Sequence, residues 1–299
     1  MNRRSFVRST ALTIGALTIA QQKIFAAFNI DPWKITMLTD KIGVFTEKGG
    51  TILFYLSATG IVVVDAQFPD SAQHLIDELK KKSSQPFTLL INTHHHGDHT
   101  AGNIAFKGIV AHVLAHENSL ANQKKVAIDK KNEDKQLYPD KTFGTTWVEH
   151  VEGEEIDLYY FGAGHTNGDA MIHFRKANIV HMGDLVFNRR HPFVDRTAGA
   201  NITSWISVLD KATNTFNKKT KYVCGHSGAG YDIVLTKDDV ISFKDYLGNV
   251  LKYTKDQIAA GKTKDEILKA TEIPGSPEWK GDGIDRPLNA AYEEITTGK

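Results

Sequence analysis

The stretch Thr93-His94-His95-His96-Gly97-Asp98-His99-Thr100 gathers four histidines and an aspartate within eight residues. Neutral imidazoles and carboxylates are good ligands for a zinc-like cation, and one centre takes three or four of them. His94, His96 and Asp98 are spaced two apart, so an extended backbone points all three the same way. His99 then points elsewhere, which suits a second ion. The run cannot fill two centres alone. Three later segments each offer one more ligand: Gly164-His165-Thr166, Gly183-Asp184 and Gly225-His226-Ser227. Each follows an apolar run of strand type and carries a glycine that lets backbone approach closely. Ligands at the carboxyl ends of strands are where α/β proteins build their sites.

The elements that must position these groups read as alternating strands and helices. Short runs rich in β-branched and aromatic residues at 42–45, 51–57 and 61–64 predict strands, separated by Lys48-Gly49-Gly50 and Ala58-Thr59-Gly60. A helix over 69–82 puts Leu75, Ile76 and Leu79 on one face. The apolar run 87–91 then leads straight into His94. Further strands are expected at 156–161, 170–174, 179–182 and 222–224, and helices at 116–125 and 203–216. Two or three C-terminal helices follow. This pattern points to packed α/β layers rather than an all-β or all-helical fold.

Composition narrows the partners. With 41% hydrophobic and 24% charged residues, the 299-residue chain has the makings of an ordinary core. Lys and Arg number 36 against 35 Asp and Glu, so nothing electrostatic favours nucleic acid or an anionic membrane. Cys224 is the single cysteine, which excludes an internal disulfide and a cysteine zinc cluster; its strand context makes it a core residue. At the N-terminus, Arg3-Arg4-Ser5-Phe6-Val7 precedes a modestly apolar run over 11–20, shorter than the ~20 residues a bilayer needs. Residues 1–27 therefore read as an export signal of twin-arginine type, with the mature domain over 28–299 in the periplasm and no stable membrane anchor.

In order and spacing, His94-x-His96-x-Asp98-His99, then His165, Asp184 and His226, resembles the metallo-β-lactamase superfamily over essentially the whole mature chain. The resemblance implies a four-layer αβ/βα sandwich and two zinc ions per chain. His94, His96 and His165 would hold the first ion, Asp98, His99 and His226 the second, and Asp184 would bridge them. Asp65 matches a position that braces the metal loop from behind. The implied activity is a zinc-dependent hydrolase in which a metal-bridged hydroxide attacks an ester, lactone, thioester or β-lactam bond of a small molecule. Asp98 would orient the nucleophile or pass a proton. Zinc β-lactamases of the best-known group carry cysteine at the bridging position, so Asp184 leans away from a dedicated β-lactamase while export leans toward one. A non-catalytic zinc-binding accessory protein is the other class. Arg189 and Arg190 follow the bridging acid and read either as a clamp for an anionic group or as a solvated pair. Of the remaining histidines, His95 and His191 are placed near the pocket. The segment 254–299 could pack on the core, cover the pocket or form a dimer contact.

Overall fold

The computed structural model describes residues 32–298, and its compact body begins at Ile35. The export reading of residues 1–27 falls outside the described residues. The first sheet runs in chain order: β1 (Lys34–Met37), β2 (Ile42–Thr46), β3 (Ile52–Leu56), β4 (Ile61–Val64), β5 (Phe87–Asn92), β6 (Val110–His116) and β7 (Lys141–Phe143). It opens as an antiparallel meander over β2, β3 and β4, then turns parallel from β4 to β7. Parallel neighbours need crossovers, and α1 (Pro69–Lys82) supplies the first. A one-turn helix, α2 (Gly97–Thr100), and a longer one, α3 (Glu117–Lys130), follow.

The second sheet holds β8 (Thr146–Val151), β9 (Glu154–Tyr159), β10 (Met171–Phe174), β11 (Ile179–Asn188), β12 (Lys221–Ser227) and β13 (Val234–Leu235). Only β11 and β12 pair in parallel, through the crossover helix α4 (Ile202–Thr215). The chain ends on α5 (Lys237–Ala259), α6 (Lys264–Ile267) and α7 (Asp285–Thr297).

Period-two alternation makes the layers. Leu53 and Tyr55 of β3 point between the sheets and join Ile156, Leu158, Ile172 and Phe174 in one core. Their neighbours Ile52 and Phe54 are equally buried, so the far face of this sheet must also be covered, and α1 buries its stripe Leu75, Ile76 and Leu79. On the outer face of the second sheet, Val180 and Met182 meet Trp205 and Leu209 of α4, Phe243 and Tyr246 of α5, and Leu288 of α7. Helices, sheet, sheet, helices is the sandwich the sequence leads one to expect. The C-terminal segment packs on this core.

Two strands run longer than their apolar runs suggest. β11 continues six residues past Met182, and β12 three past Cys224. The pairing survives through a bulge: Gly183 faces Cys224, yet Phe187 faces His226, so β11 advances four residues while β12 advances two. Asp184 sits in that excess.

Candidate metal centre

Thr93 to His96 leaves β5 without regular structure and then enters α2. His94 and His96 point together as expected, but Asp98 does not join them. His96 is still extended (ψ 147°), whereas Gly97 to Thr100 is helical, and a helix turns its side chains ~100° per residue. Asp98 and His99 therefore face a neighbouring spot together. Potential ligand atoms form one group from His94, His96, His165 and Asp184, and another from Asp98, His99 and His226, each within 4.8 Å.

In the first group the outward ring nitrogens fix the tautomers. His165 Nδ1 donates to the Phe193 carbonyl at 2.8 Å, and His96 Nε2 donates to Asp195 Oδ2 at 2.9 Å. The Thr93 hydroxyl donates to Asp65 Oδ2 at 2.8 Å, so it accepts from His94 Nδ1 at 3.0 Å. The inward nitrogens are then bare lone pairs. His96 Nδ1 lies 3.1 Å from His94 Nε2 and 2.8 Å from His165 Nε2, and Asp184 Oδ2 lies 3.4 Å from His165 Nε2. No proton separates these acceptors. A tetrahedral ion with ligand bonds of about 2.0 Å spaces its ligands about 3.3 Å apart. The donor set fits such a cation. Burial pushes His165 down to about 3 and His94 well below the ordinary histidine value, which keeps both neutral as ligands must be.

The second group carries more charge. Asp65 Oδ2 takes the Nδ1 proton of His99 at 2.7 Å, leaving His99 Nε2 3.0 Å from Asp184 Oδ1. Both atoms are buried without a hydrogen-bond partner, which again fits a cation between them. His226 Nε2 lies 3.1 Å from Asp98 Oδ2 and 3.4 Å from Asp184 Oδ1. Burial alone would raise Asp184, but His226 and His99 hold it well below the usual carboxylate range. Asp98 is held at about 2 against its own burial by His226 and His99. Burial works against His226 too, yet Asp184 and Asp98 lift it to about 9. Asp184 thus turns Oδ2 to one histidine group and Oδ1 to the other.

Glycine makes that placement possible. Gly183 has φ +50°, and a Cβ there would stand 2.6 Å from the Thr93 hydroxyl. A Cβ on Gly225 would collide with Asp184 Oδ1. The Gly225 carbonyl accepts from the Thr51 amide at 2.9 Å, tying β12 to the entry of β3. Behind the site, Trp205 is fully buried and donates Nε1–H to the Leu185 carbonyl at 3.0 Å, fixing the backbone next to Asp184.

Asp195 is the group that residue reading does not find. It is remote in sequence and its loop has no strand or histidine pattern, yet it holds His96 and lies 3.5 Å from His95 Nε2. His95 is buried against it rather than turned to the two ligand groups. Cys224 is wholly buried, as a core residue should be. A cavity of about 310 Å³ opens over His96, Asp98, Asp184 and His226, with Arg190, His191 and Arg286 also on its wall. Arg189 is not part of that wall; it pairs with Asp239 at 2.8 Å and Glu278 at 3.3 Å.

Residues 46–226 match the family described as the metallo-beta-lactamase superfamily. Metallo-beta-lactamase IND-1 of Chryseobacterium indologenes is 25% identical over 190 residues, covering 62% of this chain and 75% of that protein. The metallo-beta-lactamase from Pontibacter korlensis superposes with TM-score 0.62 at 20% identity, over 73% of this chain and 99% of that one. The sec-alkylsulfatase Pisa1 from Pseudomonas sp. reaches TM-score 0.70 at 13% identity, over 87% of this chain and 50% of that one. Identities this low make both structural likenesses statements about fold alone.

Proposed function

Because this chain belongs to the metallo-β-lactamase superfamily, we propose that it is a hydrolase that works with two zinc ions on a small-molecule ester, lactone, thioester or β-lactam. The observation that carries the reading is the Asp184 carboxylate, which shares its oxygens between two histidine groups 3.4 Å and 3.0 Å away. His94, His96 and His165 would hold one ion, and Asp98, His99 and His226 the other. When bound, such ions supply hydroxide near neutral pH and a Lewis acid for the oxygen under attack. The rest falls to the chain. Asp65 and Asp195 hold His99 and His96 in the tautomers that ligation needs. Asp98 is the most open acid of the cluster, its side chain 33% exposed against 4% for Asp184, and is suited to take up a proton during turnover. Nothing in this scheme calls for a serine or cysteine nucleophile.

The test is a hydrolysis screen on zinc-loaded protein with Asp184→Ala as control, alongside metal analysis expected to read close to two zinc ions per chain. Turnover of esters, lactones or thioesters without β-lactams would support the broader hydrolase. The curated relative named as a β-lactamase favours a second reading, a dedicated β-lactamase, and a β-lactam-only result would select it. Two tightly held ions with no turnover of any class would overturn both and leave the accessory role. Residues 1–27 are proposed as a twin-arginine export leader. Replacing Arg3 and Arg4 with lysine should hold precursor in the cytoplasm, and normal periplasmic delivery of that variant would remove the proposal.

A further inference from the structure

His96 stands between two sets of ligand atoms. Its Nδ1 faces His94 and His165, while its Nε2 faces away, 2.9 Å from Asp195 Oδ2. Another ring lies on that far side. His95 Nε2 is 3.5 Å from the same Asp195 oxygen, longer than an ordinary hydrogen bond, and His95 Nδ1 is buried with no partner among the described residues. A buried imidazole without a short hydrogen bond on either nitrogen asks for an explanation. His95, His96 and Asp195 each offer one ligand atom, and the three atoms lie within 4.8 Å of one another. The separations of 2.9 Å and 3.5 Å bracket the roughly 3.3 Å that a tetrahedral zinc ion imposes on its ligands. Asp195 is fixed to serve both rings. Its Oδ1 is taken up by the Thr197 amide, the Thr197 hydroxyl and the Ala198 amide, which leaves Oδ2 for the two imidazoles. The His96 and Asp195 side chains are 18% and 11% exposed, so water can complete a coordination shell there.

We infer that His95, His96 and Asp195 form a third, weaker seat for a zinc-like divalent cation, and that filling it takes His96 away from the first ion. The inference rests on the reading in which His94, His96 and His165 hold that first ion. A neutral imidazole has one proton and one lone pair. While Nε2 donates to Asp195, the lone pair on Nδ1 serves the first ion. A cation held by His95, Asp195 and His96 needs the Nε2 lone pair instead. The ring proton then moves to Nδ1, between His94 Nε2 and His165 Nε2. The first ion keeps only His94, His165 and Asp184. Two seats thus contend for one ring. At low zinc the first seat wins, because it offers four protein ligands against three. Excess zinc fills the other and switches turnover off.

The test has two arms, and only the second needs turnover. In the first, protein carrying two equivalents of zinc is dialysed against rising zinc. Wild type should take up a third ion. His95→Phe, which keeps a ring of similar size without a nitrogen, should stop at two. In wild type the Nε2–H signal of His96 in nitrogen-edited spectra should vanish as the third ion enters, a readout that needs no variant. In the second arm, hydrolysis of 4-nitrophenyl acetate at two equivalents should be the same in wild type and His95→Phe. Excess zinc should abolish it in wild type alone. No third ion in wild type, or one held equally by His95→Phe, would overturn the seat. A third ion that enters with the His96 signal and turnover unchanged would overturn the contention for His96. Fewer than two ions held before dialysis would count against the two-ion reading instead. No hydrolysis at two equivalents would count against the hydrolase reading, and dialysis and the His96 signal would still decide the seat.

Discussion

Asp65 Oδ2 lies 2.7 Å from His99 Nδ1, and both side chains are wholly buried. The same carboxylate accepts from the Thr93 amide and hydroxyl, each at 2.8 Å, so one residue at the end of β4 governs both the metal loop and the tautomer of His99. Asp65→Asn removes the charge while preserving the left-handed backbone (φ 65°), a conformation asparagine tolerates. Zinc affinity at the group containing His99 should fall roughly 10–100-fold. Metal-stripped protein should lose about 2 kcal/mol of stability, the scale of a buried hydrogen bond to a charged group. Chelator competition and thermal melts read the two effects, and wild-type values in both would remove Asp65 from the site.

Asp184→Asn tests the shared carboxylate. The variant is nearly isosteric and the side chain lies in a bulge rather than a packed layer, so the fold should hold. One negative charge is lost from between the two groups. Zinc content should drop from near two toward one, and turnover by roughly two orders of magnitude or more. His226→Ala should deplete the same ion while sparing the one held by His94, His96 and His165. His74→Ala, whose Nδ1 contacts Glu47 at 2.9 Å on α1, should change neither metal content nor rate. Two ions and full turnover in Asp184→Asn would end the bridging assignment.

Stripped of metal, the second group should make stability depend on pH. Against the burial that opposes it, His226 is lifted to about 9 by Asp184 and Asp98, and His99 well above its ordinary value by Asp184 and Asp65. Raised folded values mean the stabilisation is complete below the unfolded histidine value of about 6.5 and disappears as pH climbs through about 9. His94 and His165 are depressed and act only below that window. The stripped protein should therefore melt at progressively lower temperature from pH 6.5 to 9, whereas zinc-loaded protein should not. Calorimetric zinc titrations at pH 7 in buffers of different ionisation enthalpy should report protons released. No buffer dependence would contradict the charge assignment.

Most of the candidate site is legible in the sequence because its proposed ligands are chemically distinctive and each follows an apolar run. The two-apart spacing fails at Asp98, since nothing in Gly97-Asp98-His99-Thr100 announces that one turn of helix replaces the extended chain there. The strands over 179–182 and 222–224 are found but end too early. Glycine at 183 and 225 reads as a stop, while parallel pairing carries both strands through a bulge. β6 escapes because only its last four residues are buried, and β8 because all six of its residues are half-exposed or open. Arg286 and Asp195 have no local pattern at all. Only the tertiary fold brings them to the cavity and to His96.

Asp195 gives the most direct test of what the fold adds. Its Oδ2 accepts from His96 Nε2 at 2.9 Å, while its Oδ1 accepts from the Thr197 amide at 3.1 Å, the Thr197 hydroxyl at 2.6 Å and the Ala198 amide at 3.1 Å. Aspartate can do both because every carboxylate oxygen is an acceptor; asparagine cannot. In Asp195→Asn the side-chain oxygen best remains with the three donors of its own loop, which turns the amide NH₂ toward His96. Facing a donor, His96 favours the other tautomer and puts its proton on Nδ1, between His94 Nε2 and His165 Nε2. A proton there competes with the ion for the same lone pair. Zinc affinity of the first group should fall about 10–100-fold while that of the second stays near wild type. The ordering is the opposite of that expected for Asp65→Asn. A two-step chelator competition on both variants reads it, and loss of the same ion in both would show that Asp195 does not act through His96.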